Sequence, residues 1–218
     1  MRRSRQFSDP TDQAVRPVDA PRWQGALTSA TNHLGRQVRH LGLLVLLLWG
    51  LEVLDLLVWH GSMDAYGIRP RTGAGLRHVM IAPFFHVGFG HLLANTLPLV
   101  VLGWLVMLRG VAAFWWVAAI SALISGLGIW LFGGTHTIHL GASGVIFGLL
   151  GYLLARAYFE RSVSALLVAL AAALLYGSML WGVLPGQAGV SWLGHLFGLL
   201  GGVLAAWLLV DREGAPAR

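Results

Sequence analysis

The sequence contains no cysteine and no lysine, and only 11% of its 218 residues are charged. Without cysteine, the chain has no disulfide, no thiolate metal ligand and no cysteine nucleophile. The absence of lysine also excludes Schiff-base chemistry and a serine–lysine dyad. Any side-chain nucleophile on this chain is therefore an oxygen atom.

Hydrophobic residues, by contrast, make up 56% of the chain, and the mean hydropathy is +0.70. A soluble domain carries about 25% charged residues, more than twice the share found here. Apolar stretches long enough to cross about 30 Å of hydrocarbon occur at 41–59, 91–108, 112–132, 143–159, 165–184 and 192–210. The composition predicts an all-α membrane protein, with six transmembrane helices forming one domain over 41–210.

Both ends of the chain are polar. Residues 1–40 contain seven arginines and three prolines, and we expect them to form a disordered basic tail; residues 211–218 form a second short tail. If the first tail is cytoplasmic, six spans place the C-terminus there too, with twelve arginines inside and three outside. The positive-inside rule favours this orientation, in a bacterial inner membrane. Topology thus explains the net charge of +6, and no basic stripe with interleaved aromatics indicates nucleic-acid binding.

Polar residues occur at the outer ends of three predicted spans. Ser143 begins the fourth span, His195 lies near the start of the sixth, and His91 and Asn95 share one face at the start of the second. Ionisable residues within a membrane are functional candidates, because burying them in lipid is costly. A histidine can accept the proton of a serine hydroxyl that attacks a carbonyl, so we predict Ser143 as nucleophile and His195 as general base.

The same region offers candidate donors for the negative oxygen of a tetrahedral intermediate. These are the side chains of His91 and Asn95 and the backbone amide of Ser143 at a helix N-terminus. No carboxylate follows His195 on its helix before Asp211. We therefore expect packing to orient the imidazole, with Phe147, one turn after Ser143, as the ring that stacks on it.

Glycines at four-residue spacing mark two spans as close neighbours. They are Gly144 and Gly148 on the fourth span, and Gly194, Gly198 and Gly202 on the sixth. Small residues at this spacing let membrane helices approach closely. Contact between these stripes would bring the serine and the histidine together.

Three motifs together resemble the rhomboid intramembrane serine proteases, over about residues 41–210. They are Gly141-Ala142-Ser143-Gly144, His91-Leu92-Leu93-Ala94-Asn95 and Gly194-His195 with its trailing glycines. The resemblance implies a six-helix core, a serine–histidine dyad, an oxyanion hole lined by His91 and Asn95, and no cofactor. It also implies a water-filled cavity open to the extracytoplasmic side, and transmembrane proteins in the lipid bilayer as substrates.

The resemblance further implies supporting roles for His86 and Gly141. Two positions depart from the family pattern. Leu76-Arg77 stands where many members have Trp-Arg in the first loop, and Phe147 stands where some have tyrosine. Neither departure affects the predicted dyad.

Other functions also fit parts of the sequence. Five histidines could gather a metal, but His-Glu-x-x-His is absent and outer carboxylates are few, so no metal site is predicted. We expect His136 and His139 to be exposed loop residues. Glu52 and Asp55 could carry protons in a transporter, although a hydrogen-bonded structural role is favoured. A rhomboid-like protein that binds membrane clients without cutting them is the main alternative to a protease.

Overall fold

The computed structural model describes residues 22–213, with side chains over 30–210. Within these residues the fold is all-α, and extended pairing is limited to one isolated bridge between Ile68 and His139. The helices are α1 (Arg22–Leu54), α2 (Gly73–His78), α3 (Gly88–Met107), α4 (Val111–Phe132), α5 (Ser143–Glu160), α6 (Val163–Tyr176) and α7 (Trp192–Glu213). The prediction of an all-α membrane protein is confirmed.

Among residues 22–213, five helical segments are long and apolar enough to cross a membrane. They are Ala30–Trp59, Gly88–Met107, Val111–Phe132, Val163–Val183 and Trp192–Val210. The sixth long helix, α5, has 18 residues and carries Arg156 and Glu160 near its end. Every residue from Gly144 to Leu153 in α5 is buried, so this helix lies at the centre of the bundle.

The first helix is longer than the sequence analysis predicted. Residues 22–40 were expected to be disordered, and that prediction is wrong, because α1 begins at Arg22 and continues into a π-helical turn at Asp55–Trp59. Pro21 is the last proline before the apolar span. After it nothing breaks the helix, which can extend backward from the span at little cost once nucleated. The predicted tail residues 1–21 and 214–218 lie outside the described residues.

The first loop, residues 60–87, contains short helices. Besides α2, it has 3₁₀ turns at Ser62–Tyr66 and Ala82–Phe84. The Thr72 side chain caps α2 by accepting from the Gly75 amide at 2.9 Å. The loop is also anchored to the C-terminal end of α4, because Trp130 Nε1 donates to the Thr72 carbonyl at 2.8 Å.

Hydrogen bonds also connect the first loop to the segment that precedes Ser143. The amide and carbonyl of Ile68 bond to the carbonyl and amide of His139 at 2.7 and 3.1 Å, and the Gly141 amide donates to the Ala82 carbonyl at 3.1 Å. The first loop therefore fixes the backbone two residues before the candidate nucleophile.

Helices α5 and α7 are in backbone contact along their glycines. A methyl group added at Gly198 would overlap the carbonyl oxygen of Gly144, and one at Gly202 would overlap that of Gly148. Hydrogen is the only side chain that permits this approach. The close contact aligns the start of α5 with the start of α7, where Ser143 and His195 lie.

Candidate active site

Ser143 and His195 meet at the N-terminal ends of α5 and α7. The Ser143 Oγ lies 2.9 Å from His195 Nε2, and His195 Nδ1 lies 2.9 Å from the carbonyl oxygen of Gly182. A carbonyl can only accept a hydrogen bond, so Nδ1 carries the imidazole proton. Nε2 is then the acceptor for the serine hydroxyl, which is the arrangement required of a general base.

The imidazole is also held by stacking. The Phe147 ring lies parallel to that of His195, with centroids 4.1 Å apart and an interplanar angle of 8°. Gly182 completes this arrangement, because a methyl group there would lie 3.0 Å from Phe147 Cζ and 3.1 Å from His195 Nδ1. The histidine is thus oriented by a backbone carbonyl and an aromatic face, and no carboxylate of the described residues bonds to it.

His91 and Asn95 of α3 face the backbone just before the nucleophile. Gly141 has φ +112°, and a methyl group on it would lie 2.6 Å from His91 Cε1 and 3.6 Å from Asn95 Nδ2. Asn95 is 7% exposed, and within the described residues its Nδ2 has no hydrogen-bond partner. A buried donor left unpaired costs about 1–3 kcal/mol. An oxyanion beside Ser143 would give this amide its acceptor.

His86 supports the backbone of the same segment. It is buried, and its Nε2 accepts from the Ala142 amide at 3.2 Å. Burial and then the neighbouring His91 lower the pKa of His86 to about 4, against the opposing effect of the Phe84 backbone. His86 is therefore neutral at pH 7, with Nε2 free of a proton, and positions Ala142 and Ser143.

His139 does not lie where the sequence analysis expected it. It was predicted to be exposed, but it is half-buried, with Nδ1 2.7 Å from Ser191 Oγ and Nε2 2.7 Å from Thr137 Oγ1. The prediction was wrong because the backbone of His139 pairs with the first loop, which draws the side chain toward α7. Burial lowers the pKa of His139. His136 is exposed, as expected.

Two cavities adjoin these residues. One of about 540 Å³ lies beside His91, between residues 137–140 and 189–191. A second, of about 30 Å³, borders Ser143 and is also lined by Ser125 and Ser191. A water molecule needs about 10–15 Å³, so each cavity has room for water beside polar groups.

The sequence analysis did not identify several residues that help to build the candidate site. Gly182 lies in the 3₁₀ stretch Gly177–Val183, and only the fold brings its carbonyl to His195. Ser125 Oγ donates to the Gly194 carbonyl at 2.8 Å and so joins α4 to α7. A signal for Ser125 existed, since Ser121 and Ser125 lie four apart on an apolar helix and such spacing marks a contact face.

Glu52, near the C-terminal end of α1, and Asp55, at the start of the π-helical turn that follows, are both buried. The Asp55 carboxylate accepts from the Met63 amide at 3.0 Å. This contact ties the π-helical turn after α1 to the first loop. Among the described residues, no group of three or more histidine and carboxylate side chains is arranged to hold a metal ion.

The fold and the site define a multi-pass helical membrane protein with a serine–histidine pair at one end of its bundle. A family model for the rhomboid domain matches residues 74–212. The chain belongs to the rhomboid family, which confirms the resemblance seen in its motifs.

Its relatives include proteins of three bacteria. An uncharacterized protein of Mycobacterium tuberculosis is 44% identical over 178 residues, covering 78% of this chain and 73% of its own. An uncharacterized protein of Mycobacterium leprae is 41% identical, with coverages of 77% and 69%. A Bacillus subtilis protein, provisionally named a rhomboid protease, is 29% identical over 174 residues, with coverages of 77% and 83%.

Proposed function

We propose that this protein is an intramembrane serine endopeptidase that hydrolyses peptide bonds in or near transmembrane segments of other membrane proteins. The observation that carries the proposal is the 2.9 Å contact between Ser143 Oγ and His195 Nε2, in the tautomer that a general base requires. Membership in the rhomboid family and five membrane-length helices support it.

The reaction begins when His195 Nε2 takes the hydroxyl proton as Ser143 Oγ attacks the scissile carbonyl. The oxyanion then accepts hydrogen bonds from Asn95 Nδ2, His91 and the Ser143 amide, each donor contributing about 2.7–4 kcal/mol. The imidazolium next gives its proton to the leaving amine, and the peptide C–N bond breaks. Water, deprotonated by His195, attacks the acyl-enzyme and releases the new carboxylate and the free serine.

Substrate reaches this site from the lipid. We propose that a transmembrane segment approaches between α3 and α6, or over the first loop, and that water enters through the outer loops. A helix engages its own carbonyls in hydrogen bonds, so the segment must unwind locally before a peptide bond reaches Ser143. Substrates with helix-destabilising residues near the cleaved bond are therefore favoured.

We further propose that both termini are cytoplasmic and that the site opens to the extracytoplasmic side of an inner membrane. The starts of α3, α5 and α7 share one end of the bundle. Arg109, Arg156 and Arg161 lie at the other ends of these helices or in the turns that follow them. The positive-inside rule assigns that arginine-bearing end to the cytoplasm.

The decisive experiment reconstitutes the purified protein in liposomes with a model transmembrane substrate. The wild type should cleave the substrate, and a fluorophosphonate probe should label Ser143. Ser143→Ala should abolish both signals, and His195→Ala should slow labelling by a factor on the order of 10³ or more.

Ser178→Ala, which alters an exposed serine in the 3₁₀ stretch after α6, is the matched control and should behave as wild type. Cleavage that persists in Ser143→Ala contradicts the proposal. A folded wild type that binds substrate but is neither labelled nor active would instead be a client-binding protein.

A further inference from the structure

A second serine–histidine contact lies beside the candidate dyad. His139 Nδ1 and Ser191 Oγ are 2.7 Å apart. His139 precedes Ser143 by four residues, and Ser191 precedes His195 by four residues. Because α5 and α7 pack in parallel, this contact links the same two segments just before the dyad does. The proposed peptidase chemistry gives neither side chain a role.

The hydrogen atoms of this contact can be assigned from a neighbouring hydroxyl. Thr137 Oγ1 donates its single hydrogen to the Gly134 carbonyl at 2.7 Å, so toward His139 Nε2, also at 2.7 Å, it can only accept. Nε2 therefore carries the imidazole proton. Burial lowers the pKa of His139, which favours the neutral ring, and Nδ1 is then the acceptor for the Ser191 hydroxyl. Both ring nitrogens of His139 are thus engaged.

The contact joins a fixed segment to the turn that carries the candidate general base. The backbone of His139 is paired with Ile68 of the first loop. On the other side, the Ser191 carbonyl accepts from the His195 amide at 3.0 Å, and a methyl group added at Gly194 would lie 2.9 Å from Ser191 Oγ. Ser191 thus lies against the first turn of α7. The ends of helices fray and have unpaired amides, so a link at this point limits the movement of the turn.

We propose that His139 is a positioning residue for the candidate dyad. Through Ser191 it holds the first turn of α7 against the segment before Ser143, and so keeps His195 Nε2 at hydrogen-bond distance from Ser143 Oγ. The His139 ring bonds to Thr137 and Ser191, not to the dyad, so its effect is indirect. This inference rests on the proposed function, since the distance affects the reaction only if His195 takes the proton of Ser143.

The rate at which a fluorophosphonate labels Ser143 tests the link, in the full chain reconstituted in liposomes. His139→Phe keeps a ring but removes both nitrogens, and Ser191→Ala removes only the hydroxyl. Each should slow labelling by a factor of about 10–100, because a displacement of reacting groups by about 1 Å can cost that much. His136→Phe makes the same change at an exposed position three residues before His139 and should be labelled like the wild type.

Wild-type labelling rates in both His139→Phe and Ser191→Ala would overturn the proposal. If His139→Phe does not fold, Ser191→Ala carries the test alone, since it leaves the ring and the backbone in place.

Combining the two changes shows whether they act through one contact. The double variant should be labelled no more slowly than the slower single variant, because one hydrogen bond can be lost only once. Independent effects would multiply. A double variant slowed by the product of the two factors would assign His139 and Ser191 to separate structural roles and overturn the proposal.

Conservative replacements identify which nitrogen of His139 matters. The Oδ1 atom of asparagine is as many bonds from Cβ as Nδ1 of histidine, so His139→Asn keeps an acceptor for Ser191 and should recover most of the labelling rate. In His139→Gln the amide reaches the position of Nε2 instead, so labelling should stay slow. The reverse order would make Thr137 the partner that matters and would overturn the proposal.

Nuclear magnetic resonance of protein with ¹⁵N-labelled histidine monitors the dyad without any hydrolysis. The signal of His195 Nε2 depends on its hydrogen bond with Ser143, and Ser143→Ala gives its position when that bond is absent. Ser191→Ala and His139→Phe should move the signal toward that position, and a signal unmoved in both overturns the positioning role. If the signal moves as expected in a protein that is neither labelled nor active, the link is supported and the proposed function fails.

Discussion

Helices α5 and α6 follow each other in the chain but have opposite environments. The central part of α5 is buried throughout, whereas α6 buries only Ala165, Ala169 and Ala172. Leu174 on α6 is 87% exposed. Yet α6 belongs to the strongly apolar, membrane-length segments, and α5, with its glycines and two charges, does not. In lipid, leucine gains little by packing against protein, so small residues and polar contacts decide which helix is enclosed.

The largest contrast is expected from truncating one large side chain on each helix. Phe147→Ala on α5 should lower the free energy of unfolding by about 3 kcal/mol, because it leaves a cavity beside His195. It should also reduce peptide hydrolysis, since the imidazole loses its stacking surface. Leu174→Ala on α6 should change stability by less than about 0.5 kcal/mol. Thermal denaturation in detergent measures both, and equal losses would show that the two helices do not differ as described.

Asn95 on α3 faces the backbone just before α5, and replacing it should affect activity but not stability. Asn95→Ala removes a donor that has no partner within the described residues, so the melting temperature should stay the same or rise. The same change should lower kcat by a factor of about 10²–10³, because the oxyanion loses a hydrogen bond. Leu97→Ala, at an exposed position on α3, is the control. A large loss of stability with kcat unchanged would assign Asn95 to packing alone.

Adding a methyl group should destabilise the protein where α7 contacts α5, and should not do so at the end of α6. Gly202→Ala would push a methyl into the Gly148 carbonyl of α5, with an expected loss of about 1–3 kcal/mol. Gly177→Ala, at the end of α6, meets nothing within 4 Å and should be neutral or stabilising by up to about 1 kcal/mol. Denaturation of the two variants side by side measures the difference. Equal stability of the two variants would show that α5 and α7 are not held in close contact.

The segment leading into α5 should give the protein a pH dependence that α6 lacks. His86 has a pKa of about 4 in the folded protein and an ordinary value of 6.5 in the unfolded chain. As the pH falls, His86 therefore takes up a proton in the unfolded state before it does so in the folded state. The contribution of His86 to the free energy of unfolding is fully present above pH 6.5. It falls by up to about 1.4 kcal/mol for each pH unit down to pH 4. His86→Gln should reduce this slope in denaturation curves recorded at several pH values, and an unaltered slope would assign the pH dependence to other groups.

Much of the fold could be predicted from the sequence, because apolar runs and helix-spaced glycines are local patterns. The same patterns placed Ser143 at the start of one helix and His195 near the start of another. The contact of His195 with the Gly182 carbonyl could not be predicted, because every residue has a backbone oxygen and the sequence does not distinguish one from another. The half-buried His139 was also missed, because its environment arises from a bridge to Ile68, 71 residues earlier.

A peptide oxygen, rather than an acid, steers the imidazole, and the resting centre is consequently electrically neutral. A carboxylate in the place of Gly182 would bring a permanent negative charge close to hydrocarbon, where solvation is poor. In the proposed reaction, opposite charges arise only while the peptide bond is being broken, and they vanish when the products leave. The protein thereby lacks the extra stabilisation that an anion would give an imidazolium, but its site carries no permanent charge that would have to be solvated near hydrocarbon.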